Sequence, residues 1–171
     1  MTHNEFIEKY DHQKIDIDNY PWENGQSYIY QCTDLVSLYI NEVHNKQYRF
    51  IRGSGGPADI LTDWPNSFVF ESDYDLIIND WNDVNQIPKQ GDIMIWSGWP
   101  ANQFGHIAVV HQSFPGQNRW VAFEQNAGGG TSQGTGEDVS KLRVHSYTAS
   151  AGFGPITAWL RPKSVMPNKC G

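Results

Sequence analysis

At Pro88 the sequence changes texture, and that change limits what the chain can fold into. Downstream lie short runs rich in β-branched and aromatic residues, Ile93 to Trp96, His106 to His111, Trp120 to Gln125 and Ile156 to Arg161, each bounded by turn residues, and they read as strands. Upstream, Leu35, Val36, Leu38, Tyr39, Ile40 and Val43 recur near helical spacing and predict an amphipathic helix over residues 30–43. Asn4 to Tyr10 predicts a shorter helix. The stretch between Phe50 and Pro88 is broken by Gly53, Gly55, Gly56, Pro57 and Pro65, which predicts short helices and loops. Helices first and strands afterwards describe an α+β domain, with N-terminal helices packed on a mostly antiparallel sheet.

A chain of 171 residues can bury one core without disulfide staples, so residues 1–162 are read as a single domain and 163–171 as a tail or the start of a linker. The net charge of -7 comes without a Lys/Arg run, which excludes a protein that tracks a phosphate backbone, so no nucleic-acid partner is expected. No stretch reaches the roughly 18 to 20 apolar residues of a membrane span. The start MTHNEFIEKY lacks the basic-then-apolar order of a signal peptide, so synthesis in the cytoplasm is expected. Cys32 and Cys170 sit far apart in sequence, the second in a Pro/Lys/Gly tail, and both are read as free thiols. A monomer is expected.

Cys32, in YQCTDLV, falls in the first turn of the predicted helix over 30–43. A free thiol has a pKa of about 8.5, and a helix N-terminus favours the thiolate that nucleophilic chemistry requires. A lone cysteine is more often a small buried hydrophobe. A general base must also reach the sulfur, and His106, in FGHIAVV, follows a glycine and opens a strand, where a side chain can be held at a cleft edge. The base in turn needs an acceptor for its other ring nitrogen. Glu124 and Asn126, in VAFEQNAGG, lie on the next strand, and alternation predicts that both share a face while Gln125 points away. Donors for a developing oxyanion could come from the Cys32 backbone N–H together with Gln31 or a neighbouring polar side chain.

These strings, taken in order, resemble the CHAP domain of bacteriophage lysins, a branch of the papain-like cysteine hydrolases. YQCTDLV is similar to the family's nucleophile motif, PKQGDIMIW to its Gly-Asp strand, GHIAVV to its histidine motif and FEQN to its acid/amide motif, with WLRP closing the last strand. The resemblance spans roughly Asn4 to Pro162. It implies a papain-like α+β fold and a peptidoglycan hydrolase, either an endopeptidase or an N-acetylmuramoyl-L-alanine amidase. Cys32 carries over as nucleophile, His106 as base, Glu124 as the residue orienting it and Asn126 as a supporting polar member. Peptidoglycan is then the substrate, no organic cofactor is required, and a separate cell-wall-binding module is expected.

Some lysin members of the family also bind calcium through an Asp-x-Asp segment before the cysteine and an Asp two residues after it. DIDNY and Cys-Thr-Asp look similar, which makes Asp16, Asp18, Tyr20 and Asp34 candidate ligands for Ca2+, an ion that takes carboxylate and carbonyl oxygens. Residues Trp22 to Ile29 lengthen the segment between these motifs relative to the family pattern. Without a metal, turn chemistry accounts for Asp16 and Asp18, and complementing a helix dipole accounts for Asp34. Two rivals stand beside the thiol enzyme. One is a zinc amidase built on His106, His111 or His145 with a carboxylate, although no HExxH or paired-Cys spacing supports it. The other is a catalytically silent wall-binding or phage tail module that uses aromatics such as Trp64, Trp81, Trp96 and Trp99 for recognition.

Overall fold

The computed structural model describes residues 1–17, 31–46, 56–64, 73–83, 86–100, 102–127, 139–148 and 154–163. Asp18, Tyr20, the segment Trp22 to Ile29, most of the Gly-rich stretch after Ala127, and Cys170 lie outside them. In chain order the elements are helices α1 (His3–Tyr10), α2 (Cys32–Glu42) and α3 (Asp59–Asp63), then strands β1 (Tyr74–Ile78), β2 (Ile93–Trp96), β3 (His106–Ser113), β4 (Trp120–Glu124), β5 (Lys141–His145) and β6 (Ala158–Pro162). The strands form one sheet of order β1-β6-β2-β3-β4-β5, and every pairing is antiparallel. The fold is α+β, as the order of helical and strand-like segments predicts.

Local chemistry explains the helices. Thr2 and Glu5 cap α1 reciprocally, the Glu5 N–H donating to Thr2 Oγ1 at 3.3 Å and the Thr2 N–H to Glu5 Oε2 at 2.7 Å. Phe6 then drops from α1 into the core, edge-on to Tyr39 and Phe123. Along α2, Leu35, Val36, Tyr39 and Ile40 are buried and meet Ile93, Ile95, Ile107, Val109, Phe123 and Leu160 from one face of the sheet. The opposite face is filled by side chains of the sheet and its flanks, with Met94, Trp96, Ala108, Val110, Trp120, Ala122 and Trp159 in a second cluster. Alternation along β2, β3 and β4 sends successive residues to these two cores, which is why these strands read as nearly continuous apolar runs.

Two strands depart from the expectation. The region from Phe50 to Pro88, expected to hold only helices and loops, contains β1, an edge strand paired with β6 from Tyr74↔Pro162 to Ile78↔Ala158. Its outward Asp75 and neighbouring Asp73 give it the look of a polar loop. Strand β5 is the other surprise: Leu142 and Val144 are exposed, and its buried end is His145. The period of two is present in KLRVH, but the apolar residues face outward and the polar ones inward.

The Gly-Asp and WLRP strings have a shared structural meaning. Asp92 is buried just before β2, and Arg161 of β6 donates to its carboxylate through Nε and Nη2, the shortest contact being 2.7 Å. The Lys89 N–H adds a bond of 2.8 Å to the same carboxylate. Two segments about seventy positions apart are thereby locked across the β2–β6 pairing, through charge-assisted bonds that are stronger than neutral ones.

Candidate active site

Cys32 occupies the first position of α2, with Gln31 as the N-cap at φ -93° and ψ 160°. The Gln31 backbone N–H donates to Asp34 Oδ2 at 2.8 Å, so that carboxylate closes the helix end and complements its dipole. Cys32 is half-buried and is a free thiol. The N–H groups of a first helical turn have no partner within the helix and form a natural cradle for an anion.

His106 opens β3 directly after a glycine for a steric reason. Gly105 has φ +73°, and a Cβ there would lie 2.2 Å from the Trp96 carbonyl oxygen. The tight approach seats His106 opposite Trp96 in the β2–β3 register, with the two rings 5.1 Å apart. His106 Nε2 lies 2.8 Å from Glu124 Oε2, at the end of β4. Its other nitrogen, Nδ1, is left for Cys32, with which the ring is in hydrogen-bonding contact. The order thiol, imidazole, carboxylate is therefore assembled from α2, β3 and β4.

Electrostatics reinforce this order. Burial alone would push the His106 imidazole down, but the charge and hydrogen bond of Cys32, followed by those of Glu124, carry its pKa up to about 10. Burial would likewise raise Glu124, but hydrogen bonds from His106 and His145 outweigh it and hold the carboxyl at about 2. A fully buried carboxylate is thus kept ionised by the groups that face it.

The other predicted residues are placed differently. Strand β4 ends at Glu124, and Asn126 adopts φ 55°, so the alternation that would set it on the Glu124 face does not continue that far. Gln125 points to the other side, as expected, and there it acts as a clamp. Its Nε2 donates to the carbonyls of Ile15 at 2.8 Å and Gln31 at 3.0 Å, and its Oε1 accepts from the Ile15 N–H at 2.8 Å. That clamp draws the backbone beside Asp16 to the start of α2, near Asp34. Nothing in the sequence beyond its place directly after Glu124 singles out Gln125. The Gln31 backbone N–H is committed to Asp34, which leaves any oxyanion role for Gln31 to its side chain.

Of the three histidines of the zinc alternative, two meet on one carboxylate and the third pairs elsewhere. His111 pairs with His3 at 3.0 Å, while His106 and His145 each turn Nε2 to a different oxygen of Glu124. Among the described residues no group of three or more His, Cys, Asp or Glu is arranged to hold a metal ion. Of the four tryptophans considered for recognition, Trp96 is core beneath His106, Trp64 packs against the α2 core, Trp99 packs against the second core, and Trp81 stacks on Tyr147 with ring centroids 5.3 Å apart. No helix among the described residues is long and apolar enough to cross a membrane.

Comparison with known proteins gives these features a family. The model of the CHAP domain matches residues 22–126. Endolysin PlyTW of Staphylococcus phage Twort is 30% identical over 145 residues, covering 79% of this chain and 25% of that protein. The crystal structure of endolysin LysIME-EF1 superposes with a TM-score of 0.65 at 19% identity, covering 95% of this chain and 64% of that one. Ly7917, crystallised with the hydrolyzing product of MDP, superposes with a TM-score of 0.59 at 14% identity, covering 95% and 63%. At these identities the two structures speak to the fold, and the chain spans about a quarter of the length of its curated relative. With more than half of its residues inside the family match, and its site strings within or beside that match, the chain belongs to the CHAP domain family.

Proposed function

We propose that residues 1–162 form the catalytic domain of a phage-lysin-type peptidoglycan hydrolase, which cleaves an amide bond of the bacterial cell wall with Cys32 as nucleophile. The observation that carries this reading is the buried His106 bridging Cys32 and Glu124. Likeness to endolysins supplies the substrate class.

The chemistry follows from the geometry. His106 Nδ1 takes the Cys32 proton, and the sulfur adds to the carbonyl carbon of the scissile amide. Negative charge grows on the carbonyl oxygen, where the Cys32 backbone N–H and the Gln31 side chain would stabilise it. The imidazolium returns its proton to the departing nitrogen, the C–N bond breaks, and an acyl-enzyme remains. His106 then draws a proton from water, the hydroxide adds to the thioester, and the thiolate leaves. Glu124 fixes the ring through Nε2 and stabilises its charged form throughout, without taking a proton. Asn126 is assigned a supporting polar role at the same strand end.

Calcium belongs to the same proposal. The Gln125 clamp brings the Asp16 segment to the N-terminus of α2, and Asp34 is buried there, a donor chemistry that fits a hard, oxygen-seeking cation. Asp16, Asp18, Tyr20 and Asp34 would hold the ion. Its contribution would be to tie that loop to the nucleophile helix, with no step of the reaction passing through it. A separate wall-binding module would deliver the domain to its substrate, in keeping with the greater length of the relative.

The direct test is mass spectrometry of fragments released from purified Gram-positive peptidoglycan by the wild-type protein and by Cys32→Ala. Release that vanishes in the variant is expected, and the new termini identify the bond as amidase or endopeptidase. Equal release by both proteins would remove Cys32 from the mechanism, and no release from any wall type would favour a silent binding module.

A further inference from the structure

Glu124 has two oxygens, and they are shared between two histidines. His106 Nε2 lies 2.8 Å from Oε2, and His145 Nε2 lies 2.6 Å from Oε1. Both rings are buried, as is the carboxylate. His145 sits at the end of β5, opposite Trp120 in the register, and leans along the sheet to reach Glu124 four positions away on β4. Its ring is fixed between Trp96 at 5.2 Å and Trp120 at 5.5 Å, and Trp96 in turn packs against His106. Arg143 Nε stands 3.5 Å from the same Oε1 but makes no hydrogen bond among the described residues.

We propose that His145 is a positioning residue for the hydrolytic site, donating from Nε2 to Glu124 Oε1 so that Oε2 is held where His106 needs it. This rests on the hydrolase reading above. A buried carboxylate with one oxygen unmatched turns toward whatever donor remains, because an unsatisfied charged acceptor is costly. Turned toward Arg143, Glu124 would give up its alignment with His106, and Nδ1 would swing from Cys32. His145 therefore acts through Glu124 and touches neither substrate nor the reacting sulfur.

A wild-type measurement tests the donor assignment without reference to activity. Long-range proton–nitrogen NMR of the histidine rings is expected to find His145 protonated at Nε2, and a bare Nε2 would overturn the proposal. Two variants test the consequence: the amide of His145→Gln can span the gap to Oε1, whereas that of His145→Asn is one methylene short. A positioned base contributes about 10²–10⁴-fold, so His145→Asn is expected to lose about tenfold or more in kcat with KM little changed. Alkylation of Cys32 by iodoacetamide should slow in parallel, and His145→Gln should recover most of both rates. Wild-type rates in His145→Asn, or equal losses in the two variants, would overturn the proposal. If the wild-type protein releases nothing from peptidoglycan, the hydrolase reading fails, while alkylation and the ring tautomer still report on the positioning.

Discussion

His106 and Glu124 are held in the ionisation states that each needs from the other, and this has a consequence for stability. The His106 pKa is raised from 6.5 to about 10, so its contribution is fully present below pH 6.5 and is lost as pH rises toward 10. Glu124 is depressed from 4.5 to about 2, so its contribution is present above pH 4.5 and is lost as pH falls through that interval. Because Cys32 supplies the largest upward influence on His106, Cys32→Ala is expected to flatten the alkaline fall of the melting temperature and to leave the acid side governed by Glu124. Thermal melts of both proteins from pH 6 to pH 10 check this, and equal alkaline slopes would count against it. At this scale the chain was partly readable. Cys32, His106 and Glu124 sit in short strings whose neighbours announce a helix start, a strand start and a strand end. His145 carries no such sign, since its relevance depends on a side chain reaching diagonally across two strands. Asn126 lies just past the end of β4, where a left-handed residue ends the alternation used to place it.

Among the elements, the helices and the apolar strands were legible because a periodic buried face determines each of them. Strand β1 was obscured by its acidic edge, and β5 by an inverted pattern that sends Arg143 and His145 toward Glu124 while Leu142 and Val144 face outward. The segment near Ile15 is joined to the start of α2 by the buried Gln125 side chain and by shared apolar packing with Leu35 and Val36, and a bound cation would add to that junction. Asp18→Ala is expected to weaken activity in a way that excess calcium partly restores, and exhaustive chelation should lower the wild-type melting temperature. Asp34→Ala should do more, because Asp34 also caps α2, and losing such a cap costs about 1 kcal/mol whether or not a metal is present. Calorimetry with and without chelator separates the two contributions. Full activity after exhaustive chelation would remove calcium from the proposal.

Across the molecule, one sheet supports both cores, and its integrity rests on the last strand. β6 lies between β1 and β2, paired to each, and its Arg161 holds the buried Asp92. A chain ending at Lys163, which keeps the bond from the Lys163 N–H to the Asp73 carbonyl, is expected to melt close to the full chain. One ending at Thr157 should show no cooperative transition by circular dichroism, because it loses the strand that joins β1 to β2 and leaves Asp92 buried without Arg161. A stable, cooperatively melting product of the shorter truncation would overturn this view of the sheet.

The position of β6 also bears on the order in which the proposed site is assembled. Synthesis runs from the N-terminus at about 5–20 residues per second, and non-local strand pairing forms slowly. Cys32, His106 and Glu124 all precede the strand that joins β1 to β2, so they leave the ribosome while the sheet is still open. The contacts of His106 with Cys32 and Glu124 are therefore framed by a sheet that is complete only once β6 has entered between β1 and β2.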